Sequence, residues 1–495
     1  MQGKKTYQEK LFVNFQLSDY VPADNFYRRL KDQLDLSFIY PLTAKYYGTE
    51  GQKSIDPAVF IKLILVGYLE NLSSDHRIIN TSRLRMDILY FIGYDLGEEL
   101  PWHSTLSRTR QLYSEDVFTE IFKRVLKQCI DKGMISGRRQ AVDGFYIKAN
   151  ASLDSLVEKE VLMDAVVYCR ELKANEDQQP AAPLKVVSGD KQDKEGNKSK
   201  KKPGNDTHYS PTDPDAKMSV KPGKTTALNY LGQVSVDTAT HMITHVQVFT
   251  AEKHDSQCLA AVVNRVKNTL LENDIALKEI IADTGYSSGD ALKALEANKI
   301  TGYIPSRGIY NYERDGFTFN AEGEYYECGN GKRLTYRGTQ FDGGYFMKRY
   351  LVSRKECTGC PFMEQCTAHG KKITQIRETI DKPYYDRMHV RMQTRKAGIL
   401  MKLRQSTVEP VIGTLVNFLG IKRVNTKGLS QANKCLTMAA IAYNLKKMLK
   451  HQPRSIQDNI QSLENGLKRL LKSNLQLAGL LCTMISKHAE QVIFS

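Results

Sequence analysis

The spacing of apolar residues divides the chain into a helical first part and a mixed second part. In the first quarter, apolar residues recur every three or four positions, which predicts consecutive helices. Asp56 followed by Pro57 predicts a helix start, because aspartate caps a helix and proline fits its first turn. Further helices are predicted over residues 74–92 and 104–124. Residues 1–135 are therefore predicted to form an all-helical domain.

The second part alternates strand-like and helix-like patterns. Residues 139–147 form a strand-length run, and residues 227–237 and 242–249 alternate around a short polar turn, which is typical of an antiparallel hairpin. The spacing then predicts a helix over residues 257–273 and a short apolar strand over residues 279–281. This order predicts an α/β fold, with a mixed sheet covered by helices.

Changes in composition mark two insertions in this part. Residues 175–225 are poor in apolar side chains and rich in Lys, Asp, Pro and Gly, so we predict a flexible basic insertion there. Residues 305–395 are rich in Tyr, Gly and basic residues, and are predicted to form an insertion domain. The core is then divided into residues 136–304 and 396–450. Residues 451–495 carry leucines at helical spacing and predict an amphipathic tail that packs on the core or pairs with another copy.

The charge of the chain favours a polyanionic partner. Its formal net charge is +16, which points to nucleic acid first and to an anionic membrane surface second. The longest apolar stretch is too short to span a bilayer, and the N-terminus lacks the apolar core of a signal peptide. Nine cysteines without a disulfide-like pattern fit a reducing compartment. We therefore expect a cytoplasmic protein without a membrane partner, associated with the nucleoid through its DNA.

One basic helix is a candidate for DNA contact. Ser104 is predicted to cap it, and Arg108 and Arg110 follow, so its N-terminus could receive phosphates. The alternative is a solvated helix whose arginines bind nothing. Trp102, the only tryptophan, is predicted to pack inside the protein rather than to stack on a base.

Two acidic residues are associated with predicted strands. Asp283 follows the run over residues 279–281 directly, and Asp143, within residues 139–147, is predicted to end a strand-like piece in the same way. Ligands and metals bind at the ends of strands in open α/β sheets. Either aspartate could instead serve a turn, and Asp237, at the end of a hairpin strand, is a competing candidate. Two acids on strands suggest a divalent metal site that needs a third carboxylate.

These pieces resemble the catalytic core of insertion-sequence transposases with a DDE (Asp-Asp-Glu) triad, which belongs to the retroviral integrase superfamily. Three stretches occur in the family's order: residues 142–152, 282–287 and 403–413. The resemblance covers most of residues 20–450. It implies an RNase H-like core, preceded by the helical DNA-binding domain and interrupted by the Cys-containing insertion. It also implies that the catalytic metal ligands are Asp143, Asp283 and Glu409.

The resemblance further implies a DNA transposase of a bacterial insertion sequence. Such an enzyme hydrolyses DNA at the element ends and transfers the 3′-OH to target DNA. Carboxylate oxygens suit two Mg2+ or Mn2+ ions. The implied partners are the terminal inverted repeats, target DNA and a second copy of the chain when assembled on DNA. Two alternatives use the same residues: a metal-dependent nuclease without strand transfer, and a catalytically silent DNA-binding protein derived from a transposase.

The third acid has a competing interpretation, because Ser406 and Glu409 also fit a capping box. Pro410 would then stand in the first turn of that helix. In many relatives, basic residues stand at fixed intervals around this glutamate; here Arg404 is shifted by one position, and Val416 stands where a lysine is expected. The predicted DNA contacts in this half of the chain are Lys402, Arg404, Lys422 and Arg423.

Four cysteines in the second insertion are candidate zinc ligands. Cys357 and Cys360 form a C-x2-C pair, and Cys366 and Cys328 could complete a tetrahedral thiolate site. His369 is a substitute ligand. The alternative is that these cysteines bind no metal and only pack.

Overall fold

The helices of the first part form as the apolar spacing predicts, with some changes at their ends. A computed structural model describes residues 15–48, 50, 54–159, 204–220, 225–368 and 374–451. The α-helices in these ranges are α1 (Leu17–Tyr20), α2 (Phe26–Gln33), α3 (Ile39–Thr43), α4 (Pro57–Leu69), α5 (Asp75–Leu84), α6 (Met86–Ile92), α7 (His103–Leu112), α8 (Glu115–Asp131), α9 (Asp255–Leu271), α10 (Gly289–Ala297), α11 (Lys382–Met392), α12 (Arg395–Phe418) and α13 (Leu429–Lys450).

The strands follow the predicted order in the core. They are β1 (Arg139–Lys148), β2 (Val157–Glu158), β3 (His208–Tyr209), β4 (Lys217–Ser219), β5 (Ala227–Asp237), β6 (Ile243–Thr250), β7 (Glu279–Ile281), β8 (Thr301–Tyr303), β9 (Phe317–Asn320), β10 (Tyr325–Cys328), β11 (Arg333–Asp342), β12 (Tyr345–Val352) and β13 (Thr374–Thr379). The tail beyond residue 451 lies outside the described residues.

Helix starts illustrate where local sequence is decisive. The Asp56 carboxylate accepts hydrogen bonds from the amides of Ala58 and Val59, which confirms the predicted start of α4. Ser104, in contrast, is not a cap, because α7 already begins at His103 and Trp102 precedes it without a side-chain cap. The segment over residues 74–92 is two helices, α5 and α6, separated by Arg85 in extended conformation. Within the described ranges, no helix has the length and apolarity needed to cross a membrane.

A six-stranded mixed sheet lies at the centre of the molecule. β5 pairs antiparallel with β1 on one side and with β6 and β4 on the other, which confirms the predicted β5–β6 hairpin. β7 then pairs parallel with β1, and β8 pairs parallel with β7. Nearly every residue of β5 is buried, and α9 and α12 both pack against it. The chain is thus a mixed α/β protein, as predicted.

Part of the predicted flexible insertion is ordered. Residues 204–220, inside the predicted range 175–225, contain β3 and β4, and β4 adds to the edge of the central sheet. Asp213 explains the order, because its carboxylate accepts hydrogen bonds from the Tyr230 hydroxyl (2.6 Å) and the Gly428 amide (3.1 Å). One polar residue thereby ties a segment of low apolar content to the core. Residues 175–203 lie outside the described residues.

The region over residues 305–395 carries a second sheet. Its five antiparallel strands follow the order β13-β12-β11-β10-β9. A small apolar cluster holds them together, and its buried members include Tyr326, Leu334, Tyr350 and Ile376. This cluster is distinct from the large one that joins the N-terminal helices to the central sheet.

Candidate active site

Asp143 lies in the middle of β1, five residues before the strand ends, rather than at its end. Its Oδ1 accepts a hydrogen bond from the Gly144 amide (2.8 Å), and its Oδ2 accepts one from Arg404 Nη1 (3.0 Å). Burial raises the pKa of Asp143 to about 6, and the negative charge of Asp283 adds to the rise, whereas Arg404 opposes it. This carboxyl therefore titrates close to neutral pH.

Asp283 is positioned beside Asp143 by the parallel pairing of β7 with β1. Ala141 is in register with Ile281, and each aspartate stands two residues further along its strand. The Asp283 carboxylate caps a 3-10 turn by accepting a hydrogen bond from the Gly285 amide (2.9 Å). The structure thus brings the two predicted aspartates side by side, Asp143 on β1 and Asp283 just after β7.

Glu409 lies inside α12. This helix begins at Arg395 and is capped by Thr394, so the capping-box interpretation of Ser406 and Glu409 is wrong. Pro410 is likewise in the helix interior rather than in its first turn, which leaves one backbone carbonyl without its usual helical donor. The Glu409 side chain is 58% exposed, and its Oε1 lies 3.8 Å from Arg404 Nη2.

Arg404 links the first and third acids. It was predicted to contact DNA, but in the structure its side chain is 10% exposed and its guanidinium reaches both Asp143 and Glu409. Among the residues that the structure describes, no three His, Cys, Asp or Glu side chains lie close enough together to hold a metal ion. The structure therefore places Asp143 beside Asp283 and links Asp143 to Glu409 through Arg404, but it does not gather the three acids into one metal-holding cluster.

The raised pKa of Asp143 gives a testable pH dependence. Because the folded protein holds this proton more tightly than the unfolded chain does, the stability associated with it is present below about pH 4 and is lost as pH rises through about 6. Binding of a cation by this carboxylate should weaken by up to about tenfold per pH unit below about pH 6, because protons compete with the cation for it. A 13C NMR titration of the metal-free protein checks the assignment. An Asp143 carboxyl carbon that titrates near its ordinary value of 3.8 would contradict it.

A polar network next to the two aspartates was missed from the sequence. Gln233 on β5 is fully buried, donates through Nε2 to Asp255 Oδ1 (2.6 Å), and accepts through Oε1 from the Tyr286 hydroxyl. Tyr286 is also buried, and its pKa is raised by burial and by the surrounding carboxylates. A Cβ atom at Gly144 would lie 2.2 Å from Asp255 Oδ1, so the absence of a side chain lets Asp255 approach β1. The available signal was a glutamine between Gly232 and Val234 in the predicted strand over residues 227–237.

Asp237, the competing candidate, serves the fold. It is fully buried, and it accepts hydrogen bonds from the Gly137 amide (2.7 Å), the Ala239 amide (2.9 Å) and Gln140 Nε2 (3.1 Å). A carboxylate that receives several donors in this way stabilises its own turn. These contacts favour the turn interpretation of Asp237.

A large cleft opens beside the acids. It has a volume of about 1300 Å³ and lies between α4–α5 and the central sheet, with Asp143 and Glu409 in its lining. Arg110 and three exposed basic residues, Lys148, Lys422 and Arg423, also line it. The last three are brought together because the amide of Lys148, the last residue of β1, donates to the Lys422 carbonyl (3.1 Å). The lining of the cleft therefore contains both carboxylates and basic side chains.

The predicted DNA-contacting residues differ in their exposure. Arg108 is exposed, whereas Arg110 is largely buried and forms an ion pair with Asp75 (2.6 Å). Lys402, like the two basic residues at positions 422 and 423, is exposed. Trp102 is 76% exposed, so the prediction that it packs inside the protein is wrong. The sequence alone could not show which of these two arginines of α7 would be buried and which would be exposed.

The four predicted zinc ligands surround one small cavity of about 30 Å³. It is lined by Cys328, Cys357, Cys360 and Cys366. The Lys332 amide lies 3.4 Å from the Cys328 sulfur, and Asn330 Nδ2 lies 3.7 Å from the Cys360 sulfur. Such N–H donors are compatible with thiolate acceptors. His369, the substitute ligand, lies outside the described residues.

Two family models match separate parts of the chain. A transposase domain, DUF772, matches residues 15–112, and a transposase DDE domain matches residues 327–449, which include Glu409. The resemblance to DDE transposases is confirmed. The first match extends the transposase relationship to the N-terminal helices, and the second includes the four-cysteine region. No curated protein matches the sequence.

Solved transposase structures also align with this chain, at low similarity. The piggyBac transposase synaptic complex with hairpin DNA aligns with 10% identity and a TM-score of 0.29, covering 86% of this chain and 74% of that one. The Mos1 mariner paired-end complex with Mn aligns with 8% identity and a TM-score of 0.16, covering 55% and 68%. These values are too low to transfer any site geometry.

Proposed function

We propose that the protein is the DNA transposase of a bacterial insertion sequence, acting through Asp143, Asp283 and Glu409. The observation that carries this proposal is the convergence of the three motif stretches. β1 and the turn after β7 bring two aspartates side by side, and α12 carries Glu409 to the cleft that Asp143 also lines. The transposase family matches support the same function.

We also propose that the central sheet is an RNase H-like core. Its order β6-β5-β1-β7-β8, antiparallel over the first three strands and parallel over the last three, supports this assignment. Domain boundaries follow from it: a helical DNA-binding part over residues 1–135, core segments over 136–304 and 396–450, and an insertion over 305–395. The tail over residues 451–495 is proposed to be separate.

The chemistry of the acids fits Mg2+ or Mn2+, because both prefer carboxylate oxygens. When bound, two such ions supply activation of the attacking oxygen and stabilisation of the leaving one in an in-line displacement. The attacker is water at the element end and the freed 3′-OH in strand transfer. The chain itself contributes charge and position: Asp143 and Asp283 are fixed by backbone amide donors, and Glu409 is carried by a long helix.

The cations of the cleft are proposed to bind the DNA backbone. Lys148, Lys422 and Arg423 lie on the wall that also carries two of the acids, so they could hold phosphates next to the scissile bond. Arg108 and Lys402 are exposed and could extend this surface, whereas Arg110 is held by Asp75. Terminal inverted repeats and target DNA are the proposed ligands, and pairing of two ends favours a homodimer on DNA.

An assay with purified protein, Mg2+, labelled element-end DNA and a supercoiled plasmid tests the function. A transposase should release a 3′-OH at the element end and then produce a labelled product joined to the plasmid. Cleavage without a joined product would favour the metal-dependent nuclease. Binding without cleavage would favour the catalytically silent DNA-binding protein.

We propose that the four cysteines of the second insertion bind a structural Zn2+. All four line one cavity, and thiolates are good zinc ligands, which supports this proposal; in the metal-free chain no three of them lie close enough to hold the ion. Protein purified under reducing conditions should contain about one zinc per chain. The Cys360→Ser variant should lose most of it, whereas Cys258→Ser, which changes a buried cysteine of α9, should not. Zinc-free wild-type protein with an intact fold would exclude the site.

A further inference from the structure

Arg404 contacts two of the three proposed metal ligands. Its Nη1 donates to Asp143 Oδ2 at 3.0 Å, and its Nη2 lies 3.8 Å from Glu409 Oε1. The arginine side chain is 10% exposed and the Asp143 side chain 18% exposed, so solvent screens their attraction only in part. One guanidinium therefore neutralises charge that the proposed function assigns to divalent cations.

The contacts of Asp143 show why this matters. Its Oδ1 already accepts the Gly144 amide, and its Oδ2 accepts Arg404. A divalent cation held by the same carboxylate would lie within a few ångströms of the guanidinium, and like charges at that distance repel strongly where water is limited. The two cations therefore cannot both be close to Asp143 at low energy.

We infer that Arg404 is a positioning residue that competes with the divalent cation for Asp143 and Glu409. The inference rests on the proposed function, because it needs these acids to bind metal. Without metal, the guanidinium ties β1 to α12 by contacting both carboxylates. Metal binding displaces it from Asp143, and the freed guanidinium then adds positive charge next to the cleft that the two acids line. Metal loading thereby increases the attraction of the cleft for DNA phosphates.

Direct metal binding tests the competition. Mn2+ is titrated into the full chain without DNA, and free Mn2+ is followed by electron paramagnetic resonance. Arg404→Gln should bind Mn2+ about tenfold more tightly than the wild type, because a repelling charge is removed. Arg395→Gln is the matched control: it removes the same charge from an exposed position on the same helix, and its affinity should stay within about twofold. Equal or weaker Mn2+ binding by Arg404→Gln overturns the inference.

A second measurement uses the wild-type chain and so does not depend on folding of a variant. Arginines are modified with phenylglyoxal, and the sites are quantified by mass spectrometry. Arg404 is buried, so its modification should be slow without metal and at least about threefold faster with saturating Mn2+, as its guanidinium leaves Asp143. Arg395 should react at the same rate in both conditions. An unchanged or slower rate at Arg404 contradicts displacement.

Asp283→Asn separates failure of this inference from failure of the proposed function. If Asp283→Asn loses Mn2+ binding while Arg404→Gln gains none, the metal centre stands and the competition is wrong. If Asp283→Asn binds Mn2+ as the wild type does, Asp283 is not a ligand, and both proposals are overturned. Loss of binding in Asp283→Asn together with a gain in Arg404→Gln is the expected pair of results.

Discussion

Replacing Asp283 by asparagine should reduce metal-dependent cleavage of element-end DNA by at least about 10³-fold, with little change in DNA affinity. The substitution keeps the size of the side chain and its cap on the Gly285 amide, but it removes the negative charge that a divalent cation requires. Cleavage and binding are measured on the same labelled end, by denaturing gel and by filter binding. Asp143→Asn and Glu409→Gln should give losses of similar size.

The same stretch provides a matched control. Asp290 stands seven residues after Asp283, at the start of α10, and its side chain is 95% exposed. Asp290→Asn makes the identical chemical change and should leave cleavage within about twofold of the wild type, because exposed charges interact weakly. Substantial nicking by Asp283→Asn would remove this residue from the active site, whatever the behaviour of the other two acids.

The elements of the core could be predicted because their signals are local. Alternating apolar residues predicted the β5–β6 hairpin, and Asp56 followed by Pro57 predicted the start of α4. Asp143 and Asp283 could be paired as candidates because each belongs to a strand-like run. Their actual proximity depends on the parallel pairing of β1 with β7, which joins segments about 140 residues apart in the sequence.

The remaining features depend on tertiary contacts that leave little trace in a single sequence. Ser406 followed by Glu409 has the pattern of a capping box, but α12 extends eleven residues before Ser406 because its preceding turns also pack on the core. From the sequence, Arg404 was predicted to contact DNA, but in the fold its guanidinium donates to Asp143. Similarly, the sequence alone does not show that Gln233 and Asp255 lie beside Gly144, because only the tertiary fold brings them there.

Two cations around one buried carboxylate connect β1, β7 and α12, the elements on which or next to which the acids lie. Glu279 on β7 is 6% exposed, and its Oε2 pairs with Arg139 on β1 (2.5 Å), while its Oε1 pairs with Lys396 on α12 (2.5 Å). Asp143, Asp283 and Glu409 lie further along these same three elements. Burial alone would raise the pKa of Glu279, but the hydrogen bonds from Lys396 and Arg139 hold it below its ordinary value.

Breaking this cluster should destabilise the protein and should also displace Asp143, Asp283 and Glu409. Glu279→Gln leaves two cations without their shared partner, which should cost about 3 kcal/mol in the free energy of unfolding. Urea denaturation at pH 7 measures it. The pKa of Glu279 is lower in the folded protein than in the unfolded chain, where it is near 4.5. Its contribution to the free energy of unfolding is therefore present above about pH 4.5 and is lost as pH falls through the folded pKa. The difference in stability between wild type and variant should accordingly shrink in acid.

The matched control is Glu296→Gln, which breaks the pair with Arg387 (2.7 Å) on the surface of α10 and should cost less than about 1 kcal/mol. Glu279→Gln should also lower cleavage about tenfold under conditions where the variant is still folded, because β1, β7 and α12 lose a common anchor near the acids. Full cleavage activity in a destabilised Glu279→Gln protein would show that the cluster supports the fold without positioning the acids.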